Sequence, residues 1–443
     1  MLLVDRIQRF QALLEMIAPV PKDWLGEPKR DGQTRAAEGL VCVPCESYKQ
    51  LENSWKKAMK WTDGLSHGLT FMLAVTTSTK SVGTQLWGKV FSPAGGGKTT
   101  LAEAVSVARE YVYPKDSLTG LFSGYQIDGA GSQDFSMINS INGKTLIIKD
   151  ADTIIQNAAL PAIISQFRAL YDRSIRTQFK NKMSRDYEGI SATVLFCGTS
   201  SMKQLDSSEL GERFLDCWLM EKIDEDLEDE INWRVINRAD RNLALEANGK
   251  PENRQDPEMT AAMQLTGGYV NYLRLNAQDL LSQVDGSDDA KRTCINYGKF
   301  VAFMRARPSS TQDETAEREF SARLVEQHWR LAKCLAVVLN KKDVDKEVLK
   351  RTRRVALDTA KGQTLEIVKQ IYKTKEAGAE MAAISLRTNI SEDKTRQLVK
   401  FLRQIGVVEL FTPSTKGRAK TPRWRLTERL RDLYRDVVGR DHG

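Results

Sequence analysis

Residues 86–112 read LWGKVFSPAGGGKTTLAEAVSVAREYV. A strand-like apolar stretch, Leu86 to Phe91, runs into a glycine-rich turn, and the turn opens into a segment whose apolar residues, Leu101, Ala104, Val105, Val107 and Ala108, recur at helical spacing. Strand, glycine turn and helix in this order are what a phosphate-gripping loop requires. Gly95, Gly96 and Gly97 let backbone N–H groups come close to phosphate oxygens, Lys98 reaches the outer phosphates, and Thr99 offers a hydroxyl to magnesium. Pro93, Ala94 and Thr100 complete the loop. The strict pattern asks for glycine where Ser92 stands, a position that only shapes the turn. A flexible glycine linker is the alternative, and the setting between a strand and a helix argues against it.

The 443 residues around this loop suffice for about three packed units at roughly 150 residues each. Hydrophobic residues make up 41% and charged residues 28%, a globular balance, and no run approaches the ~18 consecutive apolar residues of a membrane span. The opening MLLVDRIQRFQALLEMI is interrupted by Asp5, Arg6, Arg9 and Glu15 in a helical rhythm, which predicts an amphipathic helix rather than a signal peptide, and a cytoplasmic protein. Six cysteines are scattered, and only Cys42 and Cys45, in CVPC, lie close. No second pair follows at zinc-ribbon spacing, so isolated thiols of a reducing compartment are expected rather than a metal site.

Charge is uneven. Residues 361–443 hold 18 Lys/Arg against 10 Asp/Glu, which accounts for the whole formal net charge of +8, and residues 1–360 are formally neutral. A basic excess confined to one end favours a polyanion there, with a solvated basic tail as the alternative.

Downstream of the loop, TLIIKDAD (145–152) is an apolar run ending in acids. ISATVLFCGTSS (190–201) is a second such run, with Thr199 or Ser200 at its polar tip. Between them, YDRSIRTQFKNKMSRDYEGI alternates through Ile175, Thr177 and Phe179, turns at Asn181 and Lys182, and returns through Met183 to Tyr187, which predicts a β-hairpin carrying Lys180, Lys182 and Arg185. SSELGERFLDCWL (207–219) sets Arg213 beside Phe214.

Helical patterns dominate after the acidic EKIDEDLEDEINWR, with linker-like breaks at NGKPENRQDPE and DGSDDAK. In 321–359, Leu324, Trp329, Leu331, Ala332, Leu335 and Ala336 form an expected buried stripe just after Ser-Ala-Arg323. The C-terminal segment reads as two helices, QTLEIVKQIYK and MAAISLRTN, then a third that Ser391 opens and Gly406 ends, and then VVELFTPSTKGRAKTPRWRLT, which alternates and turns like a wing. Lys394, Arg396, Gln397 and Lys400 of the third helix and Lys416, Arg418, Lys420 and Arg423 of the wing are the expected phosphate contacts, although such a module can also dock protein.

The ordered set SPAGGGKT, IIKDAD, hairpin, CGTS, GERF and SAR, spanning roughly residues 60–360, resembles the AAA+ ATPases, in particular the minichromosome-maintenance-like helicases of bacterial mobile elements. The resemblance implies an α/β fold with an AAA+ P-loop core of parallel sheet flanked by helices, a helical lid and a C-terminal winged-helix domain. It divides the chain into an N-terminal helical segment (1–60), the ATPase core (61–225), the lid (226–360) and the winged helix (361–443). It implies ATP and Mg2+ as cofactors, Lys98 and Thr99 on nucleotide and metal, and Asp150 as the metal or water-activating acid with Asp152 auxiliary. Thr199 would be sensor 1, Arg213 an arginine finger acting on a neighbour's site, and Arg323 sensor 2. Partners implied are DNA gripped by the hairpin, further copies in a homo-oligomeric ring such as a hexamer, and replication proteins. Lys149 in place of the first acid, and no Asn at sensor 1, depart from chromosomal relatives. Three roles stay open: a DNA motor or helicase, an ATP-gated DNA-binding regulator or loader, and a transcription factor with a degenerate ATPase domain.

Overall fold

Short runs bounded by polar turns make the central sheet, and its three middle strands are buried along their whole length. The computed structural model of the chain describes residues 39–79, 81–118, 120–122, 136–178, 184–207, 213–220, 225–247, 256–308, 320–412 and 421–439. Its first seven strands are β1 (Trp87–Phe91), β2 (Val112–Lys115), β3 (Thr145–Ile148), β4 (Ser174–Gln178), β5 (Ser184–Glu188), β6 (Thr193–Gly198) and β7 (Phe214–Trp218). Five of them form a wholly parallel sheet in the order β2-β3-β6-β1-β7. β4 and β5 pair separately as the expected antiparallel hairpin, with Ser174 opposite Glu188. The hairpin tip, with Lys180 and Lys182, lies outside the described residues, as does the expected opening helix.

Helices cover both faces, as a parallel sheet requires. Alternate strand residues serve two cores. Val90, Ile147, Leu195 and Leu215 pack with α2 (Asp63–Thr77) and α3 (Lys98–Val105), which follow α1 (Tyr48–Ala58). Trp87, Leu146, Ile148, Val194, Phe196 and Phe214 pack on the other side, against α4 (Ile138–Ile141), α5 (Asp152–Ile155) and α6 (Leu160–Tyr171). Trp87 meets Phe167 edge-on with 5.8 Å between ring centres.

The second half is helical: α7 (Glu225–Ala247), α8 (Pro257–Leu275), α9 (Ala277–Ser282), α10 (Asp288–Arg305), α11 (Ala322–Val338) and α12 (Lys346–Ala360). The expected stripe on α11 is buried at Leu324, Leu331, Ala332, Leu335 and Ala336, but Trp329 is only half-buried, and Gln327 and His328 lie in the core in its place. α12 completes the sheet edge with side chains: Trp218 N–H donates to Asp358 Oδ2 at 2.8 Å, and Asp216 N–H to Thr359 Oγ1 at 2.9 Å. The edge strand's polar groups are thereby satisfied without another strand. Residues 39–60 also belong to this body. Trp55 Nε1 donates to Thr266 Oγ1 at 3.1 Å, and a Cβ on Gly268 of α8 would stand 1.7 Å from the Val43 carbonyl oxygen, so the CVPC segment packs against backbone. There Cys42 Sγ approaches the Val107 carbonyl at 3.7 Å, and Cys45 Sγ the Ser47 carbonyl at 3.5 Å.

The C-terminal segment contains α13 (Gln363–Lys373), α14 (Met381–Thr388), α15 (Glu392–Gln404), an antiparallel pair β8 (Val408–Phe411) and β9 (Arg423–Leu426), and α16 (Glu428–Val438). Ser391 is the N-cap residue of α15 and Gly406, at φ +73°, follows its end, as read from sequence. α16 was not anticipated, because its residues are mostly charged. It returns to the body through Tyr434, whose ring lies 4.2 Å from Tyr372 and 6.1 Å from Phe300. No helix among the described residues is long and apolar enough to cross a membrane.

Candidate nucleotide site

β1, β3 and β6 are neighbours whose C-terminal ends open on the same side, and crevices at such ends are where parallel sheets bind ligands. Backbone bonds knit the three ends together: Ser92 N–H donates to Gly198 O at 3.3 Å and Ala151 N–H to Cys197 O at 2.9 Å. The glycine loop stands on this platform. Gly95 and Gly97 have φ of +78° and +86°, a region that side chains disfavour, and Gly97 is the N-cap of α3. Lys98, the first residue of α3, folds over its own loop with Nζ 3.4 Å from Ser92 O and 3.3 Å from Pro93 O. The α3 N-terminus therefore presents unpaired backbone N–H groups and an ammonium at one point.

Beside the loop is a cavity of about 300 Å³ with an apolar wall of Met59, Leu65, Leu219, Met220, Ile231 and Val235, and with Pro93, Ala94, Gly95, Gly96, Gly97 and Thr100 as its rim. Lys60, Thr62, Glu228, Asn232 and Arg234 add polar groups. An apolar slot adjoining a phosphate cradle matches a flat heteroaromatic group joined to phosphate.

The two acids near the loop stand in different surroundings. Asp150 is exposed, and its backbone carbonyl accepts from Thr153 Oγ1 at 2.7 Å. Asp152 instead meets the end of β6: it accepts from Thr199 N at 2.8 Å and Thr199 Oγ1 at 3.2 Å, and also from Ser201 Oγ. Lys149 is buried, with Nζ 2.7 Å from Asp116 Oδ1 and 3.6 Å from Glu103 Oε1. Burial raises the Glu103 carboxyl, and Lys149 works against that rise. Glu103 and Asp116 were not singled out from sequence, and the available signal was a lysine standing in an acid's place.

The two expected trans-acting arginines stand together elsewhere. Arg213 is buried, with its guanidinium 5.3 Å from the Tyr171 ring centre and 3.6 Å from Asp172 Oδ2. Arg323 acts electrostatically on the same Tyr171 hydroxyl. Gln327, one turn along α11, donates to Tyr171 OH at 3.1 Å and to Arg213 O at 2.9 Å. Arg213 precedes the first residue of β7, which pairs with Trp87, whereas the loop follows Phe91, paired with Trp218. Five strand residues at ~3.3 Å each thus separate Arg213 from the loop by roughly 16 Å along the sheet.

Of the other expected contacts, Arg185 is half-buried on β5, in register with Thr177. On α15, Lys394, Arg396, Gln397 and Lys400 are exposed while Thr395, Leu398, Val399, Phe401 and Leu402 are buried, so the basic residues share the outer side. Arg396 pairs with Glu392 at 2.9 Å. Arg423 is tied to Glu380 at 3.1 Å and to Ala377 O at 3.3 Å, with its side chain still partly exposed. Lys416, Arg418 and Lys420 lie outside the described residues. His67, Cys217 and Asp358 gather in the core, where His67 Nε2 is 3.6 Å from Asp358 Oδ2 and burial pushes the imidazole pKa down. No protein-family model matches the chain, and a search of the curated proteins finds no match.

Proposed function

We propose that the chain is a P-loop ATPase of AAA+ type that works as a ring-forming motor on DNA, similar in kind to minichromosome-maintenance-like helicases of mobile elements. The observation that carries this reading is the split of functional groups between the two ends of the sheet. Lys98 and its glycine cradle occupy one end; Arg213 and Arg323 share Tyr171 at the other. A chain whose arginines face away from its own phosphates is suited to complete the site of the next copy, where a guanidinium stabilises charge on the transferring phosphoryl group. The apolar cavity beside the loop supports an adenine base, with ATP as the nucleotide.

DNA is supported by the outward Lys394, Arg396 and Lys400 on the third helix of a helix-helix-helix-hairpin unit, read as a winged helix, and by the basic excess confined to residues 361–443. In this reading α7 to α12 are the lid. DNA-stimulated phosphate release tests the proposal: hydrolysis abolished by Lys98→Ala and displacement of a labelled strand are the expected results. Absence of DNA-stimulated hydrolysis removes the motor.

A second reading, an ATP-gated DNA-binding regulator or loader, is favoured by Lys149 standing where an acid is expected. Under it the protein binds ATP and DNA without displacing a strand.

A further inference from the structure

The resemblance implies magnesium held by Thr99 and Asp150, and the side chains around the loop do not suit a tightly held divalent ion. The residue that follows β3 is Lys149, only 7% exposed and flanked by Glu103 and Asp116. Glu103 lies four residues beyond Thr99 on α3, one turn along the same side of the helix. Both carboxylates close to that turn are therefore already matched with an ammonium. Asp152 is committed to Thr199 and Ser201, and Asp150 stands exposed to water, where one carboxylate holds a hydrated ion weakly.

The charge count points the same way. An acid at position 149 beside Glu103 and Asp116 would put three negative charges at the rim of a site for a polyanion, and a divalent ion would be needed before the triphosphate could approach. Lysine there changes the local charge by two units, the charge of one magnesium ion. Lys149 reaches Glu103 on the helix that Lys98 opens, so the two ammonium groups belong to one electrostatic region.

We infer that this site binds a nucleoside triphosphate without a divalent cation, the fixed charge of Lys149 replacing the ion's contribution to binding. The inference rests on the P-loop reading. ATP titrated calorimetrically into the full chain, once in excess magnesium and once in excess EDTA, tests it, and affinities that agree within about threefold are expected. Binding at least about tenfold weaker in EDTA overturns the inference and leaves the P-loop reading standing. No binding in either condition overturns both. Lys149→Asp should create the missing dependence, with EDTA weakening ATP about tenfold or more. Lys149→Met, folded by circular dichroism, should bind ATP more weakly in both solutions with no new magnesium dependence; a magnesium dependence gained by the methionine variant also overturns the inference.

Discussion

Asp152 holds Thr199 through two hydrogen bonds, accepting from its backbone N–H at 2.8 Å and its hydroxyl at 3.2 Å. The contact joins the segment after β3 to the polar tip of β6, beside the glycine loop. A carboxylate accepting several bonds contributes about 1.5–3 kcal/mol for each charged one. Asp152→Ala should therefore let the Thr199 segment shift and lower ATP turnover about 10- to 100-fold, with little change in ATP affinity. Steady-state phosphate release beside a binding isotherm separates the two effects. A larger loss from Asp150→Ala would return the main role to the exposed acid.

Each arginine should fail only for its neighbour. Arg213→Ala and Lys98→Ala chains, inactive separately, are expected to regain hydrolysis when mixed, because one mutant still supplies the cradle and the other the guanidinium. Titrating one against the other at constant total protein reads this directly, and an unchanged sum of two inactive preparations would mean that the arginine acts within its own fold.

Glycines of the loop should differ in their tolerance of alanine. At position 97 a Cβ combines a φ of +86° with an approach of 2.7 Å to Leu65 Cδ2, whereas at position 95, φ +78°, it meets open space. Left-handed backbone alone disfavours alanine by about 1–2 kcal/mol. Gly97→Ala should lose more ATP affinity than Gly95→Ala, by a further tenfold or so, as fluorescence titration with an ATP analogue would measure.

Lys89 is buried in the central sheet, 3.2 Å from Asp216 Oδ1 on the neighbouring strand, and Lys203 reaches Asp216 Oδ2 at 2.5 Å. Removing the shared acid takes a carboxylate away from both ammonium groups. Asp216→Ala is expected to destabilise the chain by about 3–5 kcal/mol in urea melts, and Lys89→Met with Asp216→Leu to recover much of that loss.

Acid should weaken the fold through His328, which is fully buried and pushed down by that burial to about 4. An unfolded histidine titrates near ~6.5, so between these values the unfolded chain takes a proton that the native chain refuses. Stability from this group is complete above pH ~6.5 and falls by up to about 3 kcal/mol as pH drops toward 4. His67, lowered by the same cause, acts in the same direction. Thermal melts across that window should flatten in His328→Gln; an unaltered slope would assign the acid sensitivity to other groups.

The sequence by itself determined the glycine loop between its strand and helix, the inserted hairpin and the three C-terminal helices with their strand pair, because each is written in local periods, turns and caps; the parallel order of the core strands entered only as what the resemblance implies, and the structure decided it. A phosphate-gripping loop is recognised from eight consecutive residues, Ser92 to Thr99 here, so that expectation needs no fold. Only the tertiary structure decided which acid meets Thr199, a partner 47 residues away in the chain, and that Lys149 is enclosed by acids from α3 and the end of β2. It alone brought Arg213 and Arg323 to one tyrosine and sank Lys89 into the sheet. The reason is physical: an ion pair or a hydrogen bond depends on distance and on the water excluded around it, and both are set by how strands and helices pack, not by the spacing of residues along the chain.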